Sequence, residues 1–295
     1  MHLSATRQAF GLTRIELDTH RNAEGNEASY WSDDAVARTE FLAARYTDFA
    51  FPPHFHETHA IGIIETGGQR FSQAGRSSTV MPAGRLCVIN PGMIHEGRAA
   101  GPGGWRYRMI YPNRDVITAA LAGEDLSKAD AAFGANIIDD PELFCSFYDL
   151  HTASQRRESV LERESRILLF LARLFTRHAG LRQKRRTGSL GRRSVDGLRE
   201  YLHANWNSDI RTSDLATLLH CSQTHAVRAF SREIGLPPHR YLLALRVERV
   251  KEMIRNGLTL AACASQAGFY DQSQMTRHFK SFTGLTPGSY LQGLS

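Results

Sequence analysis

Residues 228–241 and 277–290 repeat one pattern, and that repeat constrains the fold of this chain more than any other feature. The first copy reads Arg228-x-Phe230, four residues, Gly235-Leu236-x-Pro238-x-x-Tyr241. The second reads Arg277-x-Phe279, four residues, Gly284-Leu285-x-Pro287-x-x-Tyr290. Every matched pair is 49 residues apart. A constant offset implies two copies of one supersecondary unit in tandem. Each copy reads as helix, tight turn, helix. In the first, Ser213 caps a helix carrying Leu215, Ala216, Leu218 and Leu219. His220-Cys221 form the turn, and Ser222 caps a second helix, Gln223 to Ile234, closed by Gly235. In the second, Ala261–Ala267 is the first helix, Gly268 the turn, and Asp271 caps a helix running to Phe282. Ala216 and Ala264 are small enough to let the paired helices cross closely. The spacing of Tyr241, Leu242, Leu245, Val247, Val250 and Ile254 predicts a longer helix over 237–254 between the units.

In a helix-turn-helix unit the second helix enters the major groove and its N-terminal half meets base edges. That half is polar in both copies: Gln223, Thr224, His225 and Arg228 in the first, and Gln272, Ser273, Gln274, Thr276 and Arg277 in the second. Arginine reads guanine bidentately, and glutamine suits adenine. One such helix alone would be an ordinary solvated face. Two in register, each with Arg two residues before a core Phe, point to double-stranded DNA as partner. Charge agrees. Residues 182–295 carry 17 basic and 8 acidic side chains, a net +9, against −3 for residues 1–181. Recognition helices rich in Gln, Thr and Arg suit base reading, which disfavours a purely architectural DNA binder.

The 295 residues suggest two domains, and a hydrophobic content of 42% excludes a disordered chain. No apolar run reaches the roughly 18 residues of a membrane span, and no apolar segment follows the N-terminus. A cytoplasmic protein is expected, with no membrane association. Its four scattered cysteines read as reduced, mostly buried thiols. Residues 1–40 lack periodicity and read as an arm with at most one strand. From 41 the pattern is short strands broken by Gly and Pro: Ala60–Ile64, Gln69–Gln73, Arg85–Asn90 and Arg106–Tyr111. Helical spacing follows at Val116–Leu121 and Glu142–Leu150. A longer stretch, 157–178, carries Val160, Leu161, Ile167, Leu168, Leu171, Leu174 and Phe175 on one stripe. That stripe is expected to form a homodimer interface, packing on its own barrel being the alternative. The basic, Gly-containing run 182–194 reads as a linker. The expected fold class is α+β: a β-barrel with helices over 41–181, then an all-α domain with two helix-turn-helix units over 195–295.

Residues 195–292 resemble the DNA-binding domain of the AraC/XylS family of transcription regulators. The likeness is carried by Gly268-Phe269-Tyr270-Asp271-Gln272-Ser273-Gln274-Met275-Thr276-Arg277-His278-Phe279-Lys280, then Gly284-x-x-Pro287-x-x-Tyr290, with Leu215-Ala216 and Leu245-Arg246. Met275 departs from the commoner aromatic or Leu, a change an adaptable side chain tolerates in a buried contact. The resemblance implies two recognition helices facing one side of the DNA in successive major grooves, and contact with RNA polymerase. His54-x-His56, His59 and Gly84…Pro91-Gly92-x-x-His95 resemble the two motifs of a cupin barrel. Such a barrel in an AraC-type regulator implies a small-molecule effector. Cupin enzymes hold iron, manganese or zinc with these histidines and a Glu, but Ala60 and Ile61 stand where that Glu is expected. The histidines therefore read as a metal-free effector pocket, with a metal site and a purely structural role as alternatives. Candidate effector residues are His54, His56, His59, Glu65, His95 and Tyr107, with Glu57, Arg70 and Arg106 as further polar groups. No cofactor and no catalysis are expected. The competing reading is a metal-dependent cupin enzyme fused to a DNA-binding module.

Overall fold

The computed structural model describes residues 20–21, 25–73, 78–122, 132–180 and 190–294. Most of the expected arm and the basic run 182–189 lie outside the described residues. Among the described residues the N-terminal half is built from ten strands that form one sheet: β1 (His20–Arg21), β2 (Glu27–Asp33), β3 (Thr39–Tyr46), β4 (Ala50–His54), β5 (Ala60–Gln73), β6 (Thr79–Pro82), β7 (Leu86–Ile89), β8 (His95–Ala99), β9 (Trp105–Tyr111) and, after helix α1 (Arg114–Ala120) and the short β10 (Ala132–Phe133), β11 (Ile137–Ile138). Helices α2 (Pro141–Gln155) and α3 (Val160–His178) follow, and β12 (Ala179–Gly180) pairs with β10.

β5 closes the barrel because it belongs to both walls. Its first half pairs with β7 and β9, and its second with β6 and β8. Two separate strands are expected over 60–64 and 69–73; one fourteen-residue strand is present. A register shift between Ile64 and Thr66, with Gly67 at φ +73°, bends the strand without ending it. Strand alternation then divides the side chains. Ala60 and Ile64 face the barrel interior with Leu42, Tyr46, Cys87, Tyr107 and Met109. Ile61 and Ile63 face outward, where Phe147, Phe170, Leu171, Leu174 and Phe175 of α2 and α3 cover them.

That outer layer settles where the apolar stripe of α3 goes. Ile167, Phe170, Leu171, Leu174 and Phe175 are buried against their own barrel, each stabilising the fold by roughly 1.5–3 kcal/mol. Only Val160, Leu161 and Leu169 of its large apolar residues stay exposed. The arm reading also changes: β1, β2 and the first residues of β3 lie within residues 1–40, and the Trp31 ring of β2 stacks 5.4 Å from Phe41 on the neighbouring strand. Two of the four cysteines, Cys87 and Cys263, are buried, Cys145 is exposed, and all are free thiols.

The C-terminal half holds seven helices among the described residues: α4 (Leu190–Ala204), α5 (Thr212–Leu219), α6 (Gln223–Ile234), α7 (Pro238–Arg255), α8 (Leu260–Gln266), α9 (Gln272–Thr283) and α10 (Pro287–Gln292). α6 and α9 are both twelve residues long and start 49 residues apart. Ser222 and Asp271 cap their N-termini, and Gly235 and Gly284 stop them in the left-handed conformation. α5 starts one residue before Ser213; Arg211 is its N-cap, and the Asp214 carboxylate accepts the Arg211 N–H at 2.8 Å. α4, which begins inside the segment expected as linker, is not foreseen; its Val195, Leu198 and Leu202 join the helical core.

Candidate functional site

The DNA-facing candidates project from the second helix of each unit. Gln223, Thr224, His225 and Arg228 on α6 are exposed, as are Gln272, Ser273 and Arg277 on α9; Thr276 is half-buried. The opposite faces carry Ala226 and Phe230 in α6, and Met275, Phe279 and Phe282 in α9, all buried. A helix held by one face in the core leaves its polar N-terminal half free to enter a groove. Gln274 is committed elsewhere: its side-chain oxygen accepts the Tyr270 N–H at 2.8 Å. Arg246 on α7 has a role the sequence reading misses. Its guanidinium donates to the carbonyls of Trp206 (2.8 Å), Ser208 (2.9 Å) and Gly268 (2.7 Å). One side chain thus ties the chain after α4 to the turn of the second unit.

The second site is a cavity of about 70 Å³ between the two halves. The barrel contributes His54, His56, His95 and Tyr107, and the helical half contributes Lys251, Phe282 and Tyr290. His54 and His95 are cross-strand partners of β4 and β8, their rings 4.2 Å apart. His56 lies 5.0 Å and 5.2 Å from those two rings. Burial holds the His54 imidazole well below its ordinary pKa, reinforced by His95 and His56. Burial likewise lowers His95 to about 3, with His56 adding to the effect. Both are neutral at physiological pH.

Two of the six effector candidates lie elsewhere. His59 is buried against Phe133 and Phe175, at 5.8 Å and 5.3 Å, under α3. Glu65 follows the outward face of Ile61 and Ile63. It pairs with Arg108, which also donates to His151 Nδ1 (3.0 Å) and Gln155 (2.8 Å) of α2. Of the further polar groups, Glu57 pairs with Arg249 at 3.2 Å and Arg106 is exposed.

The sequence reading places no residue between the halves, yet the polar contacts there are dense. Glu40 of β3 is buried and pairs with Arg255 and, at 3.6 Å, with Lys251 of α7. Tyr290 Oη donates to it at 2.7 Å. Burial alone raises the Glu40 pKa, but Lys251 and Arg255 outweigh it and hold the carboxyl below the usual range. His56 Nδ1 lies 3.6 Å from Glu248 Oε1. Apolar contacts interlock as well. Phe55 and Ile94 of the barrel belong to the helical core, and Leu285 belongs to the barrel core. Tyr30 stacks on Tyr290 at 4.6 Å, and Phe55 on Tyr241 at 4.9 Å. Gly284, at φ +78°, lies so close to Tyr46 that a Cβ there would collide with its hydroxyl. The sequence does carry a signal: Lys251 breaks the buried face of α7 between Val247, Val250 and Ile254, and a charge on an apolar face needs a partner.

Residues 37–171 match the family model of an AraC-like ligand binding domain, and residues 215–293 match that of a helix-turn-helix domain. The HTH-type transcriptional regulator YbfI of Bacillus subtilis is 27% identical over 227 residues, 76% of this chain and 81% of that protein. The Msm operon regulatory protein of Streptococcus mutans is 25% identical over 97 residues, 32% of this chain and 35% of its own. Among solved structures, an apo form of ToxT from Vibrio cholerae matches with a TM-score of 0.53 at 12% identity, over 93% of this chain and 99% of that one. Unsaturated fatty acid bound ToxT matches with a TM-score of 0.51 at 12% identity, over 96% and 98%. These two likenesses concern the fold. No helix among the described residues is long and apolar enough to cross a membrane. With both domains matched in order along the chain, it carries an AraC-like ligand binding domain followed by a helix-turn-helix domain, the build of a DNA-binding transcriptional regulator.

Proposed function

We propose that this regulator reads operator DNA through Gln223, Thr224, His225 and Arg228 of α6 and Gln272, Ser273, Thr276 and Arg277 of α9, under control of a small polar effector bound between the two halves. The observation that carries the control is the cavity's lining, drawn from the barrel and from α7, α9 and α10 together. An effector that contacts both halves changes their relative free energy directly, with no need to act through the linker. A carboxylate entering the cavity meets neutral imidazoles and the Lys251 ammonium. It would compete there with Glu40 and Glu248, which pair with that ammonium at 3.6 Å and 3.4 Å. Drug-sized ligands occupy roughly 300–1,000 Å³, so a volume of about 70 Å³ favours a small effector or one whose entry opens the interface. ToxT, described as bound to an unsaturated fatty acid, shares the carboxylate chemistry; a long acyl chain here would require opening.

The regulator acts in the cytoplasm, as a homodimer and in contact with RNA polymerase. The exposed Val160, Leu161 and Leu169 of α3 suit a second copy of the chain, and bivalency would raise operator affinity. Mapping of bound genomic sites supplies the operator. Its affinity is then measured against candidate metabolites of the neighbouring genes, in wild-type protein and in Tyr107→Phe and Lys251→Met variants. An effector that shifts wild-type affinity but not that of the variants supports the cavity. A full response in both variants removes it.

A further inference from the structure

We propose that Tyr270 anchors the second helix-turn-helix unit on DNA by donating its phenol hydroxyl to a backbone phosphate beside the groove that α9 enters. That role rests on the proposed reading of operator DNA by α9, and it adds to the DNA face of the unit a residue outside the helix itself.

Tyr270 stands almost wholly in solvent, at 92% exposure, against 73% for Leu161, the next large apolar or aromatic side chain in that order among the described residues. A single exposed ring is ordinary on a protein surface. This one stands on a backbone held at every residue around it, directly before a recognition helix. The carbonyl of Gly268, a residue at φ +71°, accepts from Arg246 at 2.7 Å. Phe269 donates its N–H to the Ala264 carbonyl at 3.0 Å, and its ring is buried in the helical core. The Tyr270 N–H goes to the Gln274 side chain at 2.8 Å, and the Asp271 carboxylate accepts the Gln274 N–H at 2.6 Å. The backbone is thus settled before DNA arrives, and only the few torsions of a tyrosine side chain are left to be ordered on binding.

The repeat explains why a neutral donor suits this place. The residue 49 positions earlier is Cys221, half-buried, its thiol 3.4 Å from the Ser222 carbonyl. The first unit is capped by Ser222, a hydroxyl, whereas the second is capped by Asp271, an exposed carboxylate. Helix N-termini ordinarily receive phosphate on their free N–H groups. At α9 the capping carboxylate opposes a phosphate and takes one of those groups, and Gln274 takes the Tyr270 N–H. A cationic side chain at position 270 would be drawn to Asp271 instead. A phenol carries no charge, donates one hydrogen bond and is among the side chains that bind phosphate oxygens on DNA. It lies two residues before Gln272, the first base-facing side chain of α9. From there it fixes the depth and register of the helix without reading sequence.

The test uses full-length protein, a duplex that it selects from a random pool, and a scrambled duplex beside it. Tyr270→Phe should bind both duplexes about ten-fold more weakly, so the preference for the selected one stays as in the wild type. The slope of log affinity against log salt should not change, because no cation is lost. Each phosphate of the selected site is then replaced in turn by methylphosphonate. The wild type should lose affinity at one phosphate where Tyr270→Phe loses none, and the two should respond alike at the others. Tyr270→Ala, like Tyr270→Phe, removes an exposed group and should unfold at the wild-type midpoint; its DNA affinity should match that of Tyr270→Phe. Wild-type binding by Tyr270→Phe overturns the anchor, as do identical phosphate profiles in the two proteins. A loss confined to the selected duplex overturns it by making Tyr270 a base contact. Weak binding by Tyr270→Ala beside unaffected Tyr270→Phe overturns it by assigning the contact to the ring. Arg277→Ala, run alongside, separates the two readings. If it loses preference for the selected duplex while Tyr270→Phe binds normally, base reading by α9 stands and the anchor alone falls. A pool that yields no shared sequence contradicts both.

Discussion

The Tyr290 hydroxyl donates a 2.7 Å hydrogen bond to the buried Glu40 carboxylate across 250 residues of chain. It joins the last helix of the DNA-binding half to the third strand of the barrel. Glu40 also takes Arg255 and Lys251, so one acidic side chain balances cations from α7. Removing one partner of such a cluster leaves charges buried without compensation, a cost of about 3–5 kcal/mol. Glu40→Gln should therefore weaken docking of the halves by about that amount, and Tyr290→Phe by about 1–2 kcal/mol. Urea unfolding should then separate into two transitions in Glu40→Gln. A single transition with the wild-type midpoint would show that the cluster does not hold the halves together.

Arg246 is expected to matter as much to the helical half as Glu40 does to the interface. Its three donors satisfy carbonyls in the loop after α4 and in the turn of the second unit, and hydrogen bonds from a charged group contribute about 1.5–3 kcal/mol. Arg246→Ala should destabilise the protein by about 2–4 kcal/mol and increase amide exchange at 206–208 and 268–270. Loss of under about 0.5 kcal/mol would place the carbonyls in contact with water already.

Stability should fall as the pH drops below about 6.5, and His151 should carry part of that fall. Burial, then the neighbouring Arg108, hold its folded pKa well below 6.5. The unfolded chain thus binds a proton that the folded chain refuses. The neutral ring's stability is fully present above about pH 6.5 and is lost as the pH falls toward the folded pKa, by up to about 1.4 kcal/mol per unit. Denaturant midpoints at pH 5 and pH 7 should differ less in His151→Gln than in wild type. Equal differences would mean that the ring titrates normally in the fold.

The helix-turn-helix half was legible because a repeat at constant offset is a covalent record of structure. The caps at Ser222 and Asp271 and the stops at Gly235 and Gly284 follow from residue chemistry alone. The barrel was legible in its strands but not in its bend: nothing local marks Thr66-Gly67 as a bulge inside one strand rather than a turn between two. The grouping of His54, His56 and His95 was readable from motif spacing, whereas Tyr107 could be named only as a polar side chain on an expected strand. His59 was misplaced because it stands just before β5, beneath α3, where sequence spacing does not report direction. Glu65 was misplaced because the face of β5 depends on register. The contacts of Glu40, Glu248, Lys251 and Arg255 were invisible, since pairs separated by about 200 residues leave no periodic trace; only the charge at Lys251 on the buried face of α7 hinted at them.

The central claim is that α6 and α9 read bases, and paired titrations of operator and scrambled duplex test it most directly. Arg228 and Arg277 are both exposed, at equivalent positions 49 residues apart. Each substitution to alanine should cost about 1–3 kcal/mol on the operator, as for a lost bidentate contact, and far less on scrambled DNA. Equal losses on both duplexes would assign the two arginines to phosphates and contradict base reading by these helices.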